Sequence, residues 1–402
     1  MHTLQLLAGF CLAALGSDWP QFRGPDGQGH SDEVDLPVTW SEKENLTWKT
    51  PLPGRGWSSP VLAGGRIWLT AATDGDRSLR ALRLSAEEGR IEQEVEVFRL
   101  EAPPRVHQKN TPASPTALLE GGRVYLHFGK LGTACLSDEG KVLWKKNDLE
   151  FEHGHGPGGS PILWQDLLIL NCDGTDRQFM VALDKEDGEV RWRAERSGAM
   201  AYSTPLLIRV GGEPQVVSPC GGLVGAYDPR DGREIWSYRY PGGYSVVVRP
   251  VFANGLVVVS SGYDTPVLHA IRPDGRGEVT ATHQAWKLER GAPLNPSPVQ
   301  VGADLYLVSD GGILSCVASL SGEVRWRHRL PGDYSASPVL AGGRIYFLNE
   351  EGVATVIEPG DSYREVATNT IEGRTLASPA ISGGAIYLRS DRHLYRIGKK
   401  KG

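Results

Sequence analysis

The residues best equipped for chemistry gather in two short stretches. The segment VHQKNTPASP (106–115) places His107, Lys109 and Asn110 just ahead of a Ser-Pro step. The segment EHGHGPGGSP (152–161) places His153 and His155 ahead of another. Neutral imidazole is a common ligand of zinc and copper, so His107, His153 and His155 are the candidate metal ligands, with a carboxylate such as Asp173 to complete the set. A ligand site for a carbohydrate or other polar molecule is the second chemistry these residues suit. The third is a polar channel mouth, where they would satisfy backbone groups and water. The chain holds no G-x-S-x-G elbow, no H-E-x-x-H pair and no Walker A loop.

What must position these residues is a repeat. The Ser-Pro step recurs at Ser59, Ser114, Ser160, Ser297, Ser337 and Ser378, with Thr204-Pro205 and Arg249-Pro250 filling the gap. Successive prolines lie 55, 46, 44, 45, 48, 40 and 41 residues apart. That period predicts eight propeller blades. After each proline come a short apolar run, a turn that is often Gly-Gly, and a second apolar run, as in LAGGRIWL (62–69) and LAGGRIYF (340–347). Gly-Gly supplies the positive φ of a tight hairpin. The second runs, such as Ile67–Thr70, Leu167–Leu170 and Leu256–Val259, do not alternate, which suits strands buried on both faces.

Each unit then tends to close on Gly-x-x-x-Trp: Gly140/Trp144, Gly188/Trp192, Gly232/Trp236 and Gly322/Trp326. This reads as a turn into an outer strand whose Trp packs between blades. Units 1 and 7 lack the Trp, and Gln93 stands in its place in unit 1. Trp48 lies twelve residues before Pro60, as Trp326 does before Pro338. The strand at 45–52 therefore has no blade of its own ahead of it. The last unit ends after three strands at HLYRIG (393–398), so the N-terminal strand is expected to complete it and hide a sheet edge.

In such a blade the entry to the first strand and the loop between strands two and three share one face. That face collects His107, Lys109, Asn110, His153, His155, Tyr202, Tyr244, Asn295, Tyr334 and Arg374 from the entries. The loops add His127, Asp173, Asp264, Asp310 and Glu350. Tyrosines there offer flat faces with hydroxyl handles for a polar ligand.

The units ALDKEDGEVRW (182–192) and AYDPRDGREIW (226–236) resemble the pyrroloquinoline-quinone (PQQ)-like repeat, over roughly residues 45–398. The head segment DWPQFRGPDGQG (18–29) is similar to the start of exported bacterial propellers of this kind. The resemblance implies an all-β, eight-bladed propeller of four-stranded antiparallel blades. It does not decide function, because the repeat occurs in quinoprotein dehydrogenases and in the non-enzymatic lipoprotein of the outer-membrane β-barrel assembly machinery. In the quinoproteins a vicinal disulfide commonly stacks on the quinone, and this chain has no adjacent cysteines. No Glu/Asn/Asp set maps onto that family's calcium ligands.

The bulk numbers agree with a compact repeat protein. Gly (50) and Pro (27) are abundant beside 40% hydrophobic residues. Net charge is −5 with no basic stripe, so nucleic acid is not an expected partner. No apolar run is long enough for a membrane helix. Residues 1–16 read as a signal peptide, 17–44 as a strap packed on the propeller, 45–398 as the propeller and 399–402 as a basic tail. Cys11 follows Phe10, a poor lipoprotein box, so no lipid anchor is expected. Cys135, Cys172, Cys220 and Cys316 read as buried thiols, with a Cys172–Cys220 disulfide as the alternative. The expectation is an exported, monomeric binding or scaffold protein. It meets a protein partner or small polar ligand at the channel mouth, with no cofactor and neither PQQ nor calcium. The alternative is an enzyme, quinoprotein or metal-dependent, acting at the same mouth.

Overall fold

The computed structural model describes residues 18–399. The expected signal peptide and the end of the basic tail lie outside the described residues. Eight blades of four antiparallel strands follow one another around a ring, seven of them with those strands in chain order from the axis outward. Seven blades are continuous, at 61–99, 118–146, 162–195, 206–239, 251–288, 299–329 and 339–370. The fourth carries an extra parallel strand at 277–278, and the one helix among the described residues is the single turn Thr280–His283.

The eighth blade is shared between the two chain ends. Its inner strands are 380–382, 385–389 and 393–398, and its outer strand is 46–51. Leu46 pairs with Ile397, Trp48 with Arg396 and Thr50 with Leu394. The second strand of each blade is buried on both faces, as the unbroken apolar runs predict. Ile67, Trp68, Leu69 and Thr70 are at most 1% exposed.

Tryptophan docks blade onto blade. The Trp144 indole N–H donates to the Lys185 carbonyl at 3.0 Å and Trp192 to Pro229 at 2.9 Å. Trp286 reaches Ser319 at 2.8 Å, Trp326 reaches Gly360 at 2.9 Å, and Trp48 reaches Ala86 at 3.2 Å. In each case the acceptor sits in the next blade's turn between strands three and four. Gly188 must be glycine here: its φ is +79° and a Cβ would meet the Trp144 ring at 2.7 Å. Gln93 does the same job in blade 1, donating to the Glu139 carbonyl at 2.7 Å. Blade 7 lacks a Trp because blade 8 has no such turn, only the two chain segments meeting there. Trp236 departs from the pattern and bonds Gln215 within its own blade at 2.8 Å.

The strap is packed, as expected, and its route was not foreseen. It crosses the face that carries the hairpins between strands one and two. Trp19 pairs with Leu62 of blade 1, and the Leu119 N–H of blade 2 reaches the Pro20 carbonyl at 2.8 Å. Gln28 Oε1 accepts from the Phe252 N–H of blade 5 at 2.7 Å, and the Leu340 N–H of blade 7 reaches Gly29 at 2.8 Å. Trp19 and Trp40 are 1% and 5% exposed. The strap therefore seals this end of the central channel. No helix of the described residues is long and apolar enough to cross a membrane.

Candidate functional site

The other end of the channel opens into a cavity of about 410 Å³ whose wall draws on all eight blades. Its deeper level is the hydroxyl at the entry of seven of the eight blades. The Ser59 N–H donates to Thr116 Oγ1, Thr116 to Ser160 Oγ and Ser160 to Thr204 Oγ1, each at 2.9 Å. Arg249 donates to Ser297, Ser297 to Ser337 and Ser337 to Ser378, again each at 2.9 Å. Ser378 closes the circle on Ser59 at 3.1 Å. The gap is the step from Thr204 to Arg249, where Ser203 Oγ donates to the Val248 carbonyl at 2.9 Å instead. The serine of the repeat is thus a latch between neighbouring blades, satisfying a buried N–H that a strand cannot reach.

In blade 2 the latch is Thr116, not Ser114. The 18-residue connection between Arg99 and Leu118 displaces the local Ser-Pro step by two positions. Two residues before each latch lies the upper level of the wall: Trp57, Ser114, Gly158 and Tyr202 on one side, and Val247, Asn295, Ser335 and Leu376 on the other. Phe22 of the strap lies at the floor, and its carbonyl accepts from Arg249 Nη1 at 2.6 Å.

The expected site residues divide. His107, Lys109, Asn110, His155, Tyr202, Tyr244 and Asn295 do line the cavity. The long connection is clipped to the blade 3 entry: the His107 N–H donates to the His155 carbonyl at 3.0 Å, and Asn110 Nδ2 to the same carbonyl at 2.8 Å. The His107 and His155 rings lie 5.5 Å apart, edge to face, and Tyr202 Oη accepts the His155 N–H at 3.0 Å. Lys109 spans the mouth to blade 7, where its Nζ meets Glu350 Oε1 at 2.7 Å. Glu350 also accepts from Ser335 at 2.6 Å and from Arg374 at 2.9 Å. Burial alone would raise the Glu350 carboxyl, but these donors hold it below its usual range. Arg374 sits on the exposed rim.

The rest face elsewhere. His153 packs edge-on against Phe151 at 4.9 Å, and its Nε2 accepts the Lys130 N–H at 3.3 Å. Burial pulls it down to about 3. It does not line the cavity that His107 and His155 share, so the proposed metal trio does not converge. Among the described residues no group of three His, Cys, Asp or Glu side chains is placed to hold a metal ion. His127 is 3% exposed, bonds Thr133 Oγ1 at 2.9 Å, and is pulled down to about 4 by burial. Asp173 forms a fully buried ion pair with Arg196 inside blade 3, Nε to Oδ1 at 2.7 Å, and Arg196 Nη1 reaches on to the Ser218 carbonyl of blade 4 at 3.1 Å. Burial pushes the Asp173 carboxyl up against the pull of Arg196. Asp310 accepts the Leu294 N–H at 2.6 Å and orients Asn295.

Tyr334 is 0% exposed and belongs to the core between blades 6 and 7; the neighbouring Ser335 is the wall residue. Asp264 is exposed at φ +88°, and the preceding Tyr263 lines the cavity in its place. Cys172 and Cys220 are buried free thiols, not a disulfide. Sequence reasoning missed Trp57, Tyr263 and the hydroxyl ring. Trp57 was findable, since it stands two residues before a Ser-Pro serine.

A quinone held by calcium needs carboxylate oxygens converging on one point. No residue lining the cavity carries a carboxylate, so the donor set does not fit that group.

Three comparisons bear on kinship. BamB from Moraxella catarrhalis superposes with a TM-score of 0.63 at 13% identity, over 89% of this chain and 98% of that one. Quinohemoprotein alcohol dehydrogenase ADHIIG from Pseudomonas putida HK5 superposes with a TM-score of 0.68 at 10% identity, over 96% and 81%. At such identities both show the fold alone. In sequence, the outer membrane protein assembly factor BamB of Legionella pneumophila (strain Paris) is 26% identical over 205 residues, 48% of this chain. The match spans about half the length of that relative, 49%. The family profile described as outer membrane protein assembly factor BamB matches residues 32–155, 155–328 and 267–364. On that coverage the protein belongs to the outer membrane protein assembly factor BamB family of PQQ-like repeat propellers.

Proposed function

We propose that the protein is an exported binding or scaffold propeller that receives a small polar ligand or a segment of a protein partner at its channel mouth. The observation that carries this is the blind cavity: sealed by the strap at one end, open at the other, and walled by every blade. A cavity of that size with aromatic walls and a few oriented polar groups suits ligand capture. The charged groups around it are engaged with one another, Glu350 with Lys109 and Arg374, Asp173 with Arg196. Such mutual ties shape a wall rather than arm a catalyst. The name of its curated relative, an outer membrane protein assembly factor, favours a protein partner.

The test is a thermal-shift screen of small polar metabolites and short peptides against the purified chain. It is repeated with Trp57→Ala and Tyr244→Ala, which remove cavity-lining rings. A ligand that raises Tm in the wild type and not in these variants is the expected result. Ligands indifferent to both variants would overturn the mouth as the site. Turnover of the ligand, or calcium-dependent uptake of PQQ seen by native mass spectrometry, would overturn the binding role in favour of an enzyme.

A further inference from the structure

The latch hydroxyls have unspent protons. Each accepts one N–H from the neighbouring blade, and none donates a hydrogen bond to any described residue. A hydroxyl has one proton to give as well as lone pairs to receive. All seven latch side chains are at most 5% exposed and all line the cavity, so their protons must find acceptors within it. Ser245 adds an eighth. It lines the same cavity, is 3% exposed, and its Oγ has no partner. Tyr263 Oη likewise receives from Asn295 at 3.2 Å and gives to no described residue.

The charge beneath the floor has the same sense. Arg249 occupies the latch position of blade 5, and Arg23 of the strap lies beside it in the channel. Both are buried, at 2% and 1% exposed. Neither takes a carboxylate among the described residues. Arg249 gives Nη1 to the Phe22 carbonyl, Arg23 gives Nη2 to those of Gln28 and Pro298, and the Nε of each is unbonded. Asp26, whose field reaches both, is itself bonded to His30 at 2.9 Å. Burial outweighs the field of Asp26 and pulls Arg249 down to about 10, which still leaves it charged at neutral pH. Lys109 adds a third cation at the rim, shared with Glu350.

We propose that this cavity is an anion-selective site that takes a carboxylate carried on a flat apolar body, its oxygens on the hydroxyl ring and its body against Trp57 and Tyr202 above it. A neutral sugar fits less well, because it brings no negative charge to meet the buried Arg249 and Arg23 guanidinium groups below the wall. Two sources share the chemistry, a free aromatic acid and the C-terminal residue of a peptide. The inference rests on the mouth being the binding site and adds the class of guest.

The test is calorimetric titration of the purified full chain with N-acetyl-phenylalanine, its amide, terephthalate, acetyl-Ala-Ala-Phe and cellobiose. The acids are expected to bind, and the amide to bind at least about tenfold more weakly than N-acetyl-phenylalanine. Ser245→Ala removes a hydroxyl that bonds nothing in the protein, and should weaken acid binding about fivefold without changing Tm. Ser337→Ala is the second variant, read only if circular dichroism shows it folded. Preference for the peptide acid over terephthalate assigns the chain terminus as the source, and the reverse assigns a free acid. Equal affinity for acid and amide, or no binding by any acid, overturns the proposal. Cellobiose binding that is lost in Trp57→Ala would sink the carboxylate class alone, leaving the mouth as the site.

Discussion

At the scale of single residues, the latch serines join blades more than they fill space. Removing one hydroxyl leaves a buried N–H without its acceptor. Ser337→Ala, which strands the Ser297 N–H, should cost about 1–3 kcal/mol in urea unfolding. Ser114→Ala should cost less, because Ser114 bonds only within its own turn, to Thr111. The buried histidines set a pH limit. His127 and His269 are both pulled down to about 4 by burial, below the roughly 6.5 of an unfolded histidine. The folded chain therefore refuses protons that the unfolded chain accepts. Their neutral forms cost nothing above about pH 6.5, and stability falls as pH drops from there toward 4, by about 1 kcal/mol per unit for each. Urea midpoints measured across that window should show the slope, and His127→Gln should flatten it. An unchanged slope would mean that His127 takes up its proton while folded. Single residues were also where the sequence misled most. Tyr334 and Ser335, or Tyr263 and Asp264, differ by one position, and one position in an extended chain exchanges core for cavity.

At the scale of elements, each outer strand is anchored by what it places on the next blade's turn. Trp192→Ala deletes an indole that is 8% exposed and hydrogen-bonded to Pro229, and should cost about 3 kcal/mol. Gln93→Ala at the same position of blade 1 should cost about 1 kcal/mol or less, since only one partly exposed hydrogen bond is lost. Denaturant titration of the two variants checks the contrast. These positions were legible because the Gly-x-x-x-Trp spacing has a mechanical cause, a strand that must return to the same turn in every unit. Trp48 could be assigned to blade 8 for the same reason. The shifted latch in blade 2 was not legible, because a long connection carries its own Ser-Pro step ahead of the real one. The ion pair of Asp173 and Arg196 was hidden too, since it joins the ends of two strands that no local pattern relates.

At the scale of the whole molecule, the strap decides that the channel has one mouth. Its contacts are backbone and side-chain hydrogen bonds to blades far apart in the ring, which periodicity cannot reveal because the strap repeats nothing. Deleting residues 18–44 should lower Tm and speed hydrogen exchange at the Leu62 and Leu340 amides, which bond to Trp19 and Gly29. The Leu82 amide, inside blade 1, should exchange as before. Equal acceleration at all three would mean that the strap holds the entire ring and not merely its covered end.

The eighth blade carries a consequence for how the chain is made. Thr47 donates to the Gly398 carbonyl across 351 positions of sequence. A ribosome delivers the first of these residues long before the second. Throughout that interval the segment 46–51 has no partner, and a bare strand invites the wrong one. The ring also cannot be completed by local contacts, so its final step should be slow and should occur only after residues 393–398 have been made. A ribosome-stalled chain lacking residues 393–398 should therefore remain protease-sensitive at 46–51 even with seven blades assembled.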